Sequence, residues 1–235
     1  MQEIGNDRQK IWFDECRLTI DPQDCFDIEY WRQINAIIGS AQGRGTTWFV
    51  ADDQQEMALR HYYRGGLLGK VVRDSYWFTG WEKTRSYAEF QLLKKLREGG
   101  VNVPRPIAAR AIRDTFVYQA DILVEKIVNS QDLVVILKDR ALPLDLWAKI
   151  GHMIRKMHDL QVCHTDLNAH NILLDEHSCA WLIDFDKCYL HEGNAWKKDN
   201  LQRLQRSFQK EYGKHAINWT QDDWQALCDG YKHTD

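Results

Sequence analysis

The chain has 235 residues, 44% of them hydrophobic and 28% charged, with a formal net charge of -3. That composition excludes a disordered chain and is enough to bury a core in one large domain or two small lobes. The slight acidic balance argues against a generic nucleic-acid binder, which needs a basic excess to neutralise phosphates.

The six cysteines (Cys16, Cys25, Cys163, Cys179, Cys188, Cys228) include no C-x-x-C pair, so no disulfide framework is expected. The first residues, MQEIGNDRQK, lack an apolar signal core. No window approaches the roughly 18 apolar residues of a spanning helix. A reducing cytoplasm is the default expectation, with peripheral membrane contact left open. Ten tryptophans suit core packing first, and membrane interfaces or sugar-binding surfaces second.

In chain order, a glycine cluster, Gly39-Ser40-Ala41-Gln42-Gly43-Arg44-Gly45, precedes the first clear strand. TTWFVA (46–51) and EMALRHYY (56–63) read as a hairpin around the turn 52–55. Arg64-Gly65-Gly66 and Gly69 break the next segment. SYAEFQLLKKLRE (86–98) has apolar residues at helical spacing, and Gly99-Gly100 supplies a stop. Residues 101–127 read as strands entered through Pro104 and Pro106. Beyond about residue 128 the character changes. LDLWAKIGHMIRKMHDL (144–160) is amphipathic, ILLD (172–175) and AWLID (180–184) are short strands, and LQRLQRSFQKEY (201–212) is helical again. A strand-rich half, 1–127, and a helix-rich half, 128–235, predict an α+β fold of two lobes and a cleft.

The stretch CHTDLNAHNILLD (163–175) admits three readings: a metal site, a catalytic loop, or a polar turn before a buried strand. A hairpin of ILLD and AWLID brings Asp166, Asn171 and Asp184 to one edge. Two carboxylates and an amide oxygen there suit Mg²⁺. Zinc fits less well, because His164 and His170 lie six apart in a loop with no cysteine pair nearby.

His164-Thr165-Asp166 with Asn171, followed by Asp184-Phe185-Asp186, resembles the protein-kinase-like superfamily, whose patterns are H-R-D-x-x-x-x-N and D-F-G. The resemblance implies a strand-rich N-lobe and a helical C-lobe with the active site in the cleft. It implies that Asp166 accepts or orients the proton of an acceptor hydroxyl. Asn171 and Asp184 would hold Mg²⁺ on the phosphates of ATP, and His164 would pack. Gly43, Arg44 and Gly45 would form the phosphate loop, although Trp48 stands where a third glycine is expected. Arg60, in Met57-Ala58-Leu59-Arg60, stands where that family has lysine, and Glu89 is its natural carboxylate partner. The plain alternative for Glu89 is a solvated helix face. Lys70 is a fallback phosphate ligand. Glu125-Lys126-Ile127 resembles the hinge whose backbone holds adenine, with Glu125 and Ile127 as the contacts.

Several protein-kinase parts are missing. Thr165 replaces the arginine of H-R-D, Asp186 replaces the glycine of D-F-G, and no A-P-E follows. Activation by phosphorylation is therefore not expected, and a small-molecule or lipid-linked hydroxyl is the expected acceptor.

Longer blocks, GRGTTW (43–48), LRHYYRGGL (59–67) and HTDLNAHNIL (164–173), are similar to the bacterial lipopolysaccharide-core sugar kinases over essentially the whole chain. That likeness implies ATP-dependent phosphorylation of a hydroxyl of 3-deoxy-D-manno-octulosonic acid (Kdo) on Kdo-lipid A precursor. It implies work at the cytoplasmic face of the inner membrane; no nucleic-acid partner is expected from the charge, and no protein partner is evident. A heptose kinase, an aminoglycoside-type phosphotransferase and a pseudokinase-like binding module stand as alternatives, the last because of Trp48, Arg60 and Asp186. From Arg60 to Trp81, four basic residues (Arg60, Arg64, Lys70, Arg73), with Asp74 the one acid, interleave with Tyr62, Tyr63, Tyr76, Trp77, Phe78 and Trp81, which suits an anionic membrane surface. Leu201, Leu204 and Phe208 form either a second interfacial face or a core stripe.

Overall fold

The structure, a computed structural model, describes residues 1–43, 45–64 and 74–232. Arg44, the glycines at 65, 66 and 69, Lys70 and Arg73 lie outside the described residues. The fold is mixed α and β, and the chain divides into two compact units, residues 1–94 with 105–126 and residues 95–104 with 127–235.

The first unit holds β1 (Gln2–Gly5), β2 (Gln9–Phe13), α1 (Ile28–Gln33), β3 (Ile37–Gln42), β4 (Thr46–Ala51), β5 (Glu56–His61), β6 (Tyr76–Trp77), most of α2 (Arg85–Glu98), β7 (Pro106–Asp114) and β8 (Val117–Glu125). Its antiparallel sheet runs β1-β2-β7-β8-β5-β4-β3, with β6 also on β8. The side-chain period of two sends Met57 and Leu59 of β5 into a core with Ile11, Phe26, Trp31, Val50, Ile107 and Leu123. By the same alternation Arg60 takes the other side. β5 stops at His61, two residues short of the predicted strand. Tyr62 extends the pairing by one bond, its N–H donating to the Ala120 carbonyl at 3.0 Å. On α2, Phe90, Leu93 and Leu96 are buried at helical spacing, and the helix ends where Gly100 takes φ +73°. The β1–β2 hairpin and α1 had no clear signal in the sequence.

The second unit holds β9 (Ser130–Asp132), α3 (Leu133–Asp139), α4 (Leu144–Asp159), β10 (Val162–Cys163), β11 (Ile172–Asp175), β12 (Ala180–Leu182), β13 (Tyr189–Leu190), α5 (Ala195–His215) and α6 (Gln221–Lys232). β11 lies between β9 and β12, and β10 pairs with β13. The segment before β7 joins this sheet, since the Leu182 N–H donates to the Asn102 carbonyl at 2.9 Å. α4 buries Leu146, Trp147, Ile150, Met153, Ile154 and Met157 along one face. α6 crosses α4 at backbone contact. A Cβ on Gly151 would lie 1.9 Å from the Leu227 carbonyl oxygen, and one on Gly230 would lie 2.0 Å from that of Ala148.

Two expectations change here. AWLID ends as a strand at Leu182, because Asp184 adopts φ +62° and turns the chain out of the pleat. The helix predicted at 201–212 runs from Ala195 to His215. Its Leu204 and Phe208 are completely buried, with the Phe208 ring 5.3 Å from Trp147 and stacked at 5.8 Å on Trp219. That stripe is core, not a membrane face.

Candidate active site

In the second unit the loop 164–171 connects β10 to β11, and His164 is its root. The imidazole is fully buried, donates from Nε2 to the Ile183 carbonyl at 3.0 Å and accepts the Asp166 N–H at Nδ1 at 3.3 Å. Its ring packs 4.8 Å from Phe185. Burial holds it below the usual histidine pKa, so it is a neutral strut with both nitrogens engaged.

Asn168 shapes the rest of the loop. Its Oδ1 accepts the N–H groups of His170 (2.9 Å) and Asn171 (3.2 Å), capping the short 3-10 turn Ala169–Asn171, while its Nδ2 donates to the Asp166 carbonyl at 3.0 Å. Asn171 donates to the same carbonyl from Nδ2 at 2.9 Å, which orients its amide. The Asn171 carbonyl accepts the Ile183 N–H at 3.0 Å, and Asp184 is the next residue. The structure thus brings Asp166, Asn171 and Asp184 together through bonds of the backbone and the Asn171 amide. The left-handed φ of Asp184 costs on the order of 1 kcal/mol in a non-glycine residue, a strain typical of functional turns.

As a donor set, the amide oxygen of Asn171 and the carboxylate of Asp184 fit a hard, oxygen-preferring ion such as Mg²⁺. Among the described residues, no group of three or more His, Cys, Asp or Glu side chains is arranged to hold a metal.

Helix α5 grips this loop along one face. Asn200 Nδ2 donates to the His164 carbonyl at 2.8 Å, an Arg203 terminal nitrogen donates to Asp166 Oδ1 at 2.6 Å, and Ser207 Oγ accepts the Ala169 N–H at 2.8 Å. Glu211 lies one turn on, its Oε1 3.6 Å from His170 Nε2. Positions 200, 203, 207 and 211 share one helix face. Behind Asn200, His158 donates from Nε2 to its Oδ1 at 3.0 Å and accepts the Tyr231 hydroxyl at 2.8 Å. Burial lowers the His158 pKa to about 4. Partial burial works against ionisation of Asp166, but the Arg203 hydrogen bond and charge outweigh it and hold the carboxyl below the usual aspartate range.

None of the α5 contacts was anticipated. The available signal was polar residues at i, i+3, i+7 and i+11 beside the apolar Leu204–Phe208 stripe.

In the first unit, Arg60 and Glu89 meet. One guanidinium nitrogen donates to both carboxylate oxygens, at 2.6 and 2.7 Å, and the Tyr62 hydroxyl donates to Glu89 Oε2 at 2.6 Å. Glu89 is only 5% exposed, so it is not a solvated helix face. His61 bridges Asp121 (2.7 Å) and Asp74 (3.2 Å). Gly43 and Gly45 close the β3–β4 turn, the Gly43 N–H donating to the Gly45 carbonyl at 2.9 Å. A side chain at Gly45 would stand 2.0 Å from the Tyr63 ring. Residues 60 to 63 therefore each meet a partner. Trp48 sits within β4, paired with Ser40 and Leu59. Glu125 ends β8, its N–H donating to the Arg105 carbonyl at 2.8 Å, and the Lys126 N–H donates to the Glu56 carbonyl at 2.9 Å. The Ile127 carbonyl accepts the Ser130 hydroxyl at 2.7 Å.

Residues 28–231 match the model of the lipopolysaccharide kinase (Kdo/WaaP) family. The chain is 59% identical over 235 residues to the 3-deoxy-D-manno-octulosonic acid kinase of Photobacterium profundum, covering 100% of both chains. It is 56% identical to the protein of that name from Vibrio cholerae, covering 99% of both. With that of Haemophilus influenzae it shares 49% identity, over 98% of this chain and 99% of the other.

Proposed function

Because the chain belongs to the lipopolysaccharide kinase (Kdo/WaaP) family, we propose that it transfers the γ-phosphate of ATP to a hydroxyl of Kdo on a Kdo-lipid A precursor, in building the lipopolysaccharide core. Use of ATP follows from membership of a kinase family. The Kdo acceptor is supported by full-length similarity to proteins named for that activity, 49–59% identical. That observation carries the assignment.

In this reading residues 1–127 are the nucleotide-binding lobe and residues 128–235 the catalytic one. Asp166 takes the proton of the acceptor hydroxyl as that oxygen bonds to the γ-phosphorus and the bond to the ADP oxygen breaks. Mg²⁺, when bound by Asn171 and Asp184, offsets phosphate charge. The turn of Gly43, Arg44 and Gly45 lies over the phosphates, where the Arg44 guanidinium supplies a cation. Arg60 does the same under orientation by Glu89, and backbone groups of Glu125 and Ile127 hold adenine.

Peripheral contact with the cytoplasmic face of the inner membrane belongs to the same proposal. Two aromatic side chains, Trp77 and Phe116, are each 72% exposed. They are near neighbours, since Trp77 pairs with Val117 and the Phe78 N–H donates to the Phe116 carbonyl at 2.8 Å. Aromatics of this kind favour the headgroup level of a bilayer. Among the described residues no helix is long and apolar enough to cross a membrane.

The deciding experiment is ATP turnover with Mg²⁺ on Kdo-lipid A precursor and, separately, on heptosylated core. Transfer to the first is expected. Transfer to the second alone would make the chain a heptose kinase, and transfer to neither would sink the kinase assignment.

A further inference from the structure

The cation facing the loop carboxylate comes from outside the loop. Thr165 stands beside Asp166 where the H-R-D pattern has arginine, and the guanidinium that meets Asp166 belongs to Arg203 of α5. We propose that Arg203 is a catalytic residue that contacts the γ-phosphoryl group of ATP during transfer, while its contact with Asp166 keeps the two groups in register. This deepens the kinase reading above and rests on it.

Three observations carry the proposal. First, the ion pair uses one terminal nitrogen and one carboxylate oxygen, 2.6 Å apart. A guanidinium has five N–H donors in a planar fork, a geometry that suits simultaneous contact with a carboxylate and a phosphate. Second, both side chains are near half exposure, 47% for Arg203 and 45% for Asp166. A ligand can reach such a pair, and the pair is too weak to lock either partner. Third, Arg203 lies between Asn200 and Ser207, which bond the loop backbone at His164 and Ala169. Those flanking bonds hold its Cα in a constant place relative to Asp166.

The chemistry needs a cation at that place. As the acceptor oxygen bonds to phosphorus and the bond to the ADP oxygen breaks, the acceptor proton passes to Asp166 and ADP leaves with the bonding electron pair. Negative charge meanwhile spreads over the phosphoryl oxygens in flight. A guanidinium anchored at its Cα beside the proton acceptor meets that charge, and because it stays protonated throughout it cannot compete for the proton.

The test uses Arg203→Gln and Arg203→Lys in the full chain. Affinities for ADP and for a non-hydrolysable ATP analogue are measured by calorimetry, together with kcat, KM and Tm. For Arg203→Gln we expect analogue affinity to fall about tenfold with ADP affinity and Tm unchanged, and kcat to fall about 100-fold. Arg203→Lys should recover part of each loss. An unchanged ratio of analogue to ADP affinity with near-wild-type kcat would overturn the proposal, leaving the ion pair structural. Equal loss for both nucleotides would also overturn it, by placing Arg203 away from the γ-phosphate. Asp166→Asn, assayed in parallel, separates the two ideas. Retained turnover in that variant removes the role given to Asp166, while the nucleotide ratio still reads Arg203 directly.

Discussion

The side-chain amide of Asn200 donates to the backbone carbonyl of His164 at 2.8 Å, tying the root of the loop 164–171 to a helix more than thirty residues further along the chain. The same amide accepts from His158, so one buried side chain satisfies two groups that water does not reach. Asn200→Ala strands both. An unsatisfied buried group costs roughly 1–3 kcal/mol, so urea denaturation should show a loss of about 2–3 kcal/mol, with kcat falling more than the affinity for ATP. A loss under about 0.5 kcal/mol, the usual range of an ordinary surface substitution, would show that the tie is unimportant.

Asp166→Ala should abolish phosphate transfer, by about 1,000-fold, while nucleotide affinity stays within a few-fold, because a proton acceptor acts at the chemical step. Calorimetry with ADP beside a transfer assay checks this. Comparable losses in both would reassign Asp166 to nucleotide binding.

Glu89 is buried and bonded to Arg60 and Tyr62 at once. Glu89→Ala leaves the guanidinium and the hydroxyl without that acceptor. Breaking a buried pair from one side costs about 3–5 kcal/mol, and partial exposure of Arg60 reduces this to roughly 2–3 kcal/mol. ATP affinity should fall with it as Arg60 loses its orientation. In a double-mutant cycle with Arg60→Ala, a coupling energy near zero would contradict the assignment.

His158 predicts an acid limit to stability. Its pKa is about 4 in the folded protein, because burial disfavours the charged ring, against about 6.5 unfolded. Between those values the unfolded chain binds more protons, so the stabilisation is complete above about pH 6.5 and is lost as pH falls towards 4. The loss amounts to about 3 kcal/mol. Unfolding free energies of the wild type should decline through that window, and His158→Gln should decline less. Identical slopes would rule out His158 as the cause.

The α4–α6 crossing depends on Gly151. Adding Cβ there meets the Leu227 backbone oxygen, whereas the same change at Gly213 in α5 meets nothing within 4 Å. Gly151→Ala should therefore destabilise by about 2 kcal/mol or more through overpacking. Gly213→Ala should stabilise by roughly 0.5–1 kcal/mol through helix propensity. Equal Tm shifts in the two variants would mean that the helices separate freely.

What the sequence determined by itself was local. The alternation in TTWFVA and EMALRHYY, the helical spacing of Phe90, Leu93 and Leu96, and the order Asp166, Asn171, Asp184 along a tight hairpin are all written within short windows. A period of 2 or 3.6 is enough to say which side is buried. Likeness to a kinase family supplied the pairing of Arg60 with Glu89, which no local period could give. Tertiary structure alone decided that α5 is both a core helix and the clamp on the loop, through Asn200, Arg203 and Ser207. The physical reason is that periodicity identifies a helix's apolar face but not the partners of the polar residues bordering it. Those partners lie far away in sequence, and whether Arg203 meets solvent or Asp166 is settled only when α5 packs its Leu204 and Phe208 into the core.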